Sequence, residues 1–386
     1  MSGARPVTAR LRQAWRALPG HARLPVLALC GLLAAACAPQ DDTGGGAGPL
    51  ADSTRYRWKL VTTWPPNFPG LGTAANRFAE AVTEMSGGRL QVRVYGAGEL
   101  VDAFEVFDAV SRGTAEMGHG GAYYWKGRIP ASPLLSAVPF GFTAQEMNAW
   151  LYYGGGLELW RELYEPYGVV PFPAGNTGAQ MGGWFNTEIN GVADLQRLKI
   201  RMPGLGGEVM SRAGATVVNL SGGEIFLALQ SGTIDATEWV GPYNDLAFGL
   251  HQAAKYYYAP GWHEPGPALE LIVNREAWLA LPEDLQAIVE QAAKATNLDM
   301  LAEFTARNPA ALETLLDEHG IELRRFPEPV LAHLRELSAE VVAELVARDP
   351  AAARIHESIS AFHEQVKPWH EISERAILET RELAAP

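Results

Sequence analysis

Strand-like and helix-like segments alternate in the first part of this chain, and this alternation restricts its fold more than any other feature. Residues 56–64 (YRWKLVTTW) form an apolar run ended by a cluster of prolines, which predicts a buried strand. Residues 73–88 carry apolar side chains at helical spacing and end in two glycines, and residues 89–95 (RLQVRVY) alternate apolar and polar side chains. Because strands and helices in this order pack as layers, the sequence predicts an α/β fold with a parallel or mixed sheet.

Capping boxes mark several helix starts. In this pattern a short polar residue precedes the helix and an acid three positions later reaches back to it. The pattern occurs at Asp102 with Glu105, at Thr143 with Glu146, and at Ser221 with Glu224. TIDATEWV (233–240) then predicts a further strand, and from about residue 282 the periodicity is helical throughout. The predicted order is therefore α/β units first and helices last.

Residues 1–37 predict an export signal rather than part of the fold. A basic stretch precedes the apolar run LPVLALCGLLAAAC, which is too short to span a membrane comfortably. Ala34 and Ala36 suit cleavage to a soluble protein, but the final Ala-Ala-Cys resembles a lipoprotein signal. The polar tether at 38–55 favours the lipoprotein form, with lipidation at Cys37. The sequence therefore predicts a periplasmic or otherwise extracytoplasmic protein.

Composition excludes several classes of partner and site. The net charge is −13, and the first 40 residues carry five arginines and no acid, so the rest of the chain is more acidic still. Such a surface argues against nucleic acid and anionic membrane as partners. The two cysteines are Cys30 and Cys37, so the body has no disulfide, zinc–cysteine site or thiol nucleophile.

Catalytic motifs are absent from the sequence. It contains no G-x-S-x-G nucleophile elbow, no P-loop and no H-E-x-x-H zinc motif. The segment His119-Gly120-Gly121 superficially resembles an oxyanion-hole loop, but it lacks the nucleophile that such a loop serves. The sequence therefore predicts a protein that is not an enzyme.

Several longer motifs together resemble one protein family. They are GHGGAYYWKG (118–127), NTGAQMGGWF (176–185), LKIRMPG (198–204) and LQSGTIDATEWVGP (229–242). In order and spacing they resemble the extracytoplasmic receptors of TRAP (tripartite ATP-independent periplasmic) transporters, the DctP-like family. Within it they look most like the branch that binds 2-oxo acids and related monocarboxylates.

The resemblance implies a two-lobed periplasmic-binding-protein-like fold with mixed sheets, a long connecting helix and C-terminal helices. Lobe I is expected over 56–175 plus 259–320, lobe II over 176–258, and helices that brace both lobes over 321–386. The implied partners are one small and one large integral membrane subunit, driven by an ion gradient. In some relatives the C-terminal helices also support homodimers.

The same resemblance assigns a ligand and metal site. Arg201 matches the arginine that fixes the ligand carboxylate, a role that suits the paired donors of a guanidinium. Gln180, Glu238 and the backbone carbonyl of Trp239 match the metal site of the branch, and such hard oxygen ligands suit sodium or calcium. With Arg201, Glu238 and a monocarboxylate, sodium leaves the set neutral, so sodium is the favoured ion and calcium the alternative.

Aromatic side chains are expected to wall the site and to limit the size of the ligand. The first-lobe candidates follow a strand-like stretch, and the others come from the second lobe and its return segment. The candidates are Tyr123, Tyr124, Trp125, Phe185 and Trp239, with Asn176 and Trp262 as further contacts.

The predicted ligand is a small 2-oxo or 2-hydroxy monocarboxylate of the pyruvate or lactate type. It would chelate the ion through one carboxylate oxygen and its 2-oxygen. A dicarboxylate or sugar-acid receptor of the same family, which uses the arginine without a metal, stays open. An exported ligand-sensing module is the alternative from a different class.

Overall fold

A computed structural model describes residues 54–383. The predicted signal at 1–37, including Cys37, and all but the end of the predicted tether lie outside the described residues. None of the helices between residues 54 and 383 combines the length and the apolar character needed to cross a membrane.

Strands and helices alternate through much of the described chain, as the sequence predicts. The strands are β1 (Tyr56–Thr62), β2 (Leu90–Tyr95), β3 (Met117–Gly120), β4 (Val169–Asn176), β5 (Gly183–Phe185), β6 (Lys199–Arg201), β7 (Thr216–Val218), β8 (Ala236–Thr237), β9 (Tyr256–Ala259), β10 (Ala268–Asn274) and β11 (Glu322–Arg325). The α-helices are α1 (Leu71–Met85), α2 (Val106–Ser111), α3 (Ala144–Tyr153), α4 (Gly156–Tyr164), α5 (Gly204–Arg212), α6 (Gly222–Gln230), α7 (Pro242–Phe248), α8 (Arg275–Ala280), α9 (Glu283–Asp317), α10 (Glu328–Arg348), α11 (Pro350–Ile372) and α12 (Glu374–Arg381).

The first sheet is mixed and has the strand order β2-β1-β3-β10-β4. β1 runs parallel to β2 and β3, whereas β10 runs antiparallel to both β3 and β4. Because β1 and β3 are parallel neighbours, the segments that follow them leave the sheet at the same edge. Trp64 follows β1 and Tyr123 follows β3, so the sheet brings these two aromatic segments together.

The second sheet has the strand order β11-β9-β5-β8-β6-β7. β6 runs parallel to β8, with Arg201 opposite Thr237, which places the residue after β8 beside Arg201. β11 pairs in parallel with β9 inside a region that the sequence predicts as helical. A strand of four residues is too short to alter a periodicity averaged over helix-sized windows. The division of the chain into lobes stays a prediction.

Two of the three predicted capping boxes are present. The Glu146 carboxylate accepts a hydrogen bond from the backbone nitrogen of Thr143 at 2.8 Å, and Glu224 accepts one from Ser221 at 2.9 Å. The prediction at Asp102 is wrong, because a 3₁₀ turn follows it, α2 begins only four residues later, and its side chain caps neither.

The 35-residue helix α9 connects the two sheets. Its first half contributes Leu285 and Val289 to the hydrophobic cluster under the first sheet. Its second half contributes Met300 and Phe304 to a cluster that contains Trp184 of the second sheet. The mixed sheets, the long connecting helix and the helical C-terminal part confirm the predicted α/β fold class.

Candidate functional site

Arg201 is the last residue of β6, and its guanidinium is buried. Its Nε donates to the Leu220 carbonyl at 3.1 Å. Its Nη1 donates to the Glu238 carboxylate and to the Glu238 carbonyl, the latter at 3.3 Å. Its Nη2 lies 3.5 Å from the Tyr124 hydroxyl, at the outer limit of a hydrogen bond. The guanidinium is therefore held on one side, while Nη2 is the nitrogen that is least engaged.

Glu238 is the counter-ion of Arg201. The two side chains are each only 1% exposed. Burial opposes the positive charge, but the Glu238 carboxylate together with Tyr124 and Tyr123 outweighs it, and the pKa of Arg201 is raised above its usual value. The pair thus places a permanently charged guanidinium in a buried environment without adding net charge.

Gln180 and Glu264 form a second polar group beside this pair. Gln180 Nε2 donates to the Glu264 carboxylate at 2.8 Å and to Thr177 Oγ1 at 3.1 Å. The two segments are also joined by their backbones, because the Gly261 nitrogen donates to the Gln180 carbonyl at 2.9 Å. A Cβ at position 261 would lie 2.3 Å from that carbonyl oxygen, so the close approach requires glycine.

Two buried polar atoms in this region have no hydrogen-bond partner among residues 54–383. They are Gln180 Oε1 and His263 Nδ1. One ligand atom each from Glu238, His263 and Glu264 lie within 4.8 Å of one another. Burial, and next the charge of Glu238, raise the pKa of Glu264 well above its usual value, although Arg201 and Gln180 oppose the rise. Because buried polar atoms are almost always paired, two unpaired ones beside three converging ligand atoms fit a place where a ligand or ion can bind.

A cavity of about 250 Å³ adjoins these groups. This volume includes space that is open to solvent, and only about 10 Å³ of it is available to the centre of a water-sized sphere, so little free space remains between the lining residues. Its lining combines polar side chains with aromatic and aliphatic ones. The lining residues are Trp64, Leu71, Tyr123, Tyr124, Thr177, Gln180, Arg201, Trp239, Val240 and Leu269.

The structure brings most of the predicted site residues together. Arg201, Gln180, Trp239, Tyr123 and Tyr124 all line the cavity. The Arg201 guanidinium carbon lies 5.3 Å from the centre of the Trp239 ring, so that indole covers one face of the cation.

Four other predicted contacts lie elsewhere in the described chain. The Trp125 indole nitrogen donates to the buried Glu270 carboxylate. Phe185 packs against Tyr258, with ring centres 5.0 Å apart, in the core of the second sheet. Trp262 stacks on Phe140 at 5.7 Å. The Asn176 side chain donates to the Gly266 carbonyl at 3.2 Å and accepts from the Gly178 nitrogen at 2.8 Å. All four are buried, but none lines the cavity.

Sequence reasoning missed several residues of the site, most importantly Glu264, His263, Trp64 and Thr177. Trp64 could have been predicted, because it ends the first predicted strand and ligands of α/β proteins bind at the carboxyl ends of strands. Glu264 had none beyond its nearness to Trp262, because its partner Gln180 is 84 positions away in the chain.

Comparison with known proteins identifies the family. The model of the bacterial extracellular solute-binding proteins, family 7 (DctP), matches residues 60–349. This chain belongs to the DctP family. A relative, the monocarboxylate 2-oxoacid-binding periplasmic protein of Nostoc sp., is 45% identical over 318 residues, which cover 82% of this chain and 87% of the relative. These matches confirm the predicted family and the prediction of a periplasmic transport receptor rather than an enzyme.

Solved structures agree with this assignment. A TRAP periplasmic solute-binding protein from Pseudoalteromonas atlantica with bound sodium and pyruvate superposes with a TM-score of 0.82 and 45% identity, covering 84% of this chain and 99% of that one. A homologue from Colwellia psychrerythraea with bound calcium and pyruvate has a TM-score of 0.82 and 44% identity, covering 85% of this chain and 100% of that one.

Proposed function

We propose that this chain is the solute-binding subunit of a TRAP transporter and that it captures a small 2-oxo or 2-hydroxy monocarboxylate of the pyruvate type. The observation that carries the proposal is that one small cavity is lined by both the buried Arg201 and Gln180, whose Oε1 is unpaired. The 2-oxoacid-binding relative and the two pyruvate-bound structures support the choice of ligand.

Arg201 would bind the ligand carboxylate. Its Nη2 lies 3.5 Å from the Tyr124 hydroxyl, and a carboxylate oxygen to one side of this pair, within reach of both atoms, would receive a donor from each. Because Glu238 holds the other side of the guanidinium, the donor geometry is already fixed before the ligand arrives.

The residues near Arg201 fit an oxygen-bound metal ion. Gln180 Oε1 is buried and unpaired, and its own amide nitrogen orients the neighbouring Glu264 carboxylate. We therefore add Glu264 to the predicted set of Gln180, Glu238 and the Trp239 carbonyl. A bound cation would supply a positive centre for the ligand's carboxylate and 2-oxygen, and it would offset the buried acids.

Including Glu264 changes which ion the charges favour. Sodium neutralises a set made of Arg201, Glu238 and a monocarboxylate, which is why the sequence alone favours sodium. With Glu264 ionised, the set needs a divalent cation to reach neutrality, and burying a net charge is costly. We propose calcium as the ion that binds most tightly, with sodium as the weaker one.

The two predicted lobes would close over the ligand. Several hydrogen-bonded contacts join the first part of lobe I, at 56–175, to lobe II, at 176–258. Lys126 Nζ lies 2.7 Å from the Glu208 carboxylate, and Asn244 Nδ2 donates to the Pro69 carbonyl at 2.7 Å. Such contacts stabilise a closed form that holds the ligand until the membrane subunits receive it.

Assembly and anchoring are further parts of the proposal. The last helices carry exposed apolar side chains, including Trp369, Ile372 and Leu378, and these would pair in a homodimer. Lipidation of Cys37 would hold the protein at the membrane. Sedimentation of the purified protein tests the first point, and mass spectrometry of the protein from its native membrane tests the second.

A thermal-shift screen tests the ligand and the ion together. Pyruvate, lactate, a dicarboxylate and a sugar acid are each added in sodium-free buffer with a calcium chelator, then with sodium, then with calcium. A ligand that binds only the native state at 100 times its Kd adds about 2.7 kcal/mol to the free energy of unfolding. Pyruvate is expected to raise Tm in calcium most and in chelator least. A larger shift with a dicarboxylate or sugar acid, unaffected by the chelator, would instead identify a metal-independent receptor.

A further inference from the structure

Trp64 lines the cavity, and its indole is held by His119, a residue that has no role in the proposed binding of ligand and metal. Trp64 is 2% exposed, and its indole Nε1 donates to His119 Nδ1 at 2.8 Å. His119 is itself 1% exposed and comes from the His-Gly-Gly segment that ends β3. We propose that Trp64, locked by His119, is the wall that sets the longest ligand chain the cavity accepts.

His119 can hold the indole in one position only. Its other ring nitrogen, Nε2, lies 3.1 Å from the Ala174 carbonyl, which can only accept a hydrogen bond. The proton must therefore be on Nε2, and Nδ1 must be the acceptor for Trp64. Burial lowers the pKa of His119 to about 4, so the ring stays neutral and keeps this arrangement at neutral pH.

The backbone of Trp64 is fixed as well. Its carbonyl accepts hydrogen bonds from the Ala97 nitrogen at 2.8 Å and from Thr62 Oγ1 at 3.0 Å. Rotation of the indole would leave the buried Trp64 N–H and His119 Nδ1 both without partners, which is costly for each group. Moving this wall to admit a longer ligand is therefore more costly than moving an unbonded Leu or Met would be.

Trp64 is linked to Arg201 through two other residues of the cavity lining. Trp239 and Tyr124 each contact both residues. The Trp64 ring centre is 6.2 Å from that of Trp239 and 6.3 Å from that of Tyr124. Arg201 has its guanidinium over Trp239 and its Nη2 near Tyr124. A ligand whose carboxylate is on Arg201 would thus direct its alkyl end toward Trp64 and the aliphatic residues of the lining.

The inference rests on the proposed function and narrows its substrate class to short-chain 2-oxo acids. Pyruvate has a single methyl group at this end. Each further methylene would have to fit against an indole that is held by a hydrogen bond. Forcing extra methylenes into packed space should lower the affinity by about 5- to 150-fold.

The test measures selectivity rather than affinity alone. The Kd of pyruvate, 2-oxobutyrate and 2-oxopentanoate is measured by calorimetry in calcium for the wild type and its variants. The wild type should bind pyruvate at least about tenfold more tightly than 2-oxopentanoate. His119→Leu removes the acceptor and should reduce that ratio at least about threefold, while His119→Gln, which can still accept from the indole, should restore it.

Two further variants test the wall directly and control for general destabilisation. Trp64→Phe gives a smaller wall without depending on the stability of a His119 variant, and it too should lower the ratio. Ser358→Ala is the matched control, because it removes the acceptor of another buried indole, that of Trp150, outside the cavity lining. This control should leave the ratio unchanged.

The outcomes separate the inference from the function on which it rests. If the wild type binds pyruvate and the ratio stays within twofold in both His119→Leu and Trp64→Phe, the wall is elsewhere and the inference is overturned. If Ser358→Ala lowers the ratio as much as His119→Leu does, the effect is general destabilisation and the inference is also overturned. If the wild type binds no 2-oxo acid in any ion, the proposed function falls together with the inference.

Discussion

Two buried acids, Asp245 and Glu264, lie in different surroundings although both are almost fully shielded from water. The Asp245 carboxylate accepts hydrogen bonds from Trp184 Nε1 at 3.0 Å and from the Tyr257 hydroxyl at 2.6 Å, and it also accepts from two backbone nitrogens at the start of α7. Glu264 has one donor in the described chain, Gln180 Nε2. A fully bonded acid stabilises the fold, whereas an acid with spare acceptor capacity beside an unpaired amide oxygen is available to an ion.

The largest expected effect comes from Arg201→Ala, which removes the cation that both the ligand and Glu238 need. Removing one partner of a buried ion pair typically costs about 3–5 kcal/mol of stability, and the pyruvate-dependent Tm shift should disappear. Urea unfolding and the thermal-shift assay measure the two effects. Arg212→Ala removes an exposed arginine paired with Glu344 and should change neither by much. Tight pyruvate binding by Arg201→Ala would refute the assigned role.

Asp245 should make stability depend on pH. Burial raises its pKa to about 6 from an ordinary value of 3.8, so the native state binds the proton more tightly than the unfolded state. Its contribution is therefore greatest below about pH 4 and is lost as the pH rises to about 6, by roughly 3 kcal/mol. Urea unfolding at a series of pH values checks this, with Asp245→Asn as the reference that lacks the titrating group. Parallel curves for the two proteins would contradict the prediction.

Glu264→Gln should weaken metal and ligand binding while sparing the fold. Loss of a carboxylate at the ion should raise the Kd for calcium by at least about tenfold, as changes around metal ligands commonly do. The free energy of unfolding in chelator should fall little, because the amide can still accept from Gln180. Calorimetric titration of calcium measures the first and urea unfolding the second. Unchanged calcium affinity would remove Glu264 from the proposed ion site.

The smallest effect is expected at the exposed ion pair of Lys126 and Glu208. Lys126 and Glu208 are each more than a third exposed, and exposed pairs are worth about 0.2–1 kcal/mol. Lys126→Met should therefore raise the Kd for pyruvate no more than about fivefold, and the effect should shrink at high salt because the pair is screened. Calorimetry at two ionic strengths provides the test. A tenfold loss that persists in high salt would mean that Lys126 contacts the ligand.

The sequence predicted those parts of the fold and site that depend on local pattern or on family motifs. The periodicity of apolar residues predicted β1, α1 and β2. The family motif around Arg201 predicted that this residue lies at the ligand site. Glu264 and His119 were missed because their roles come from partners such as Gln180 and Trp64, which only the folded chain brings near.

The aromatic candidates also show what the sequence could not predict, namely which of them line the cavity. Phe185 and Tyr124 are both aromatic residues in or next to short strands, and nothing local distinguishes them. Tyr124 lines the cavity, whereas Phe185 points into the core of the second sheet, where it meets Tyr258. Phe185 lies in β5, whereas Tyr124 lies in the 3₁₀ turn after β3, and the groups that surround each side chain are set by tertiary packing.

The helix α9 has a consequence for how the protein melts. Since it supplies side chains to the packing beneath both sheets, neither sheet can come apart without stripping contacts from a helix that the other also uses. Heating should therefore produce one cooperative calorimetric transition rather than two, even in a receptor whose halves are proposed to move against each other during capture.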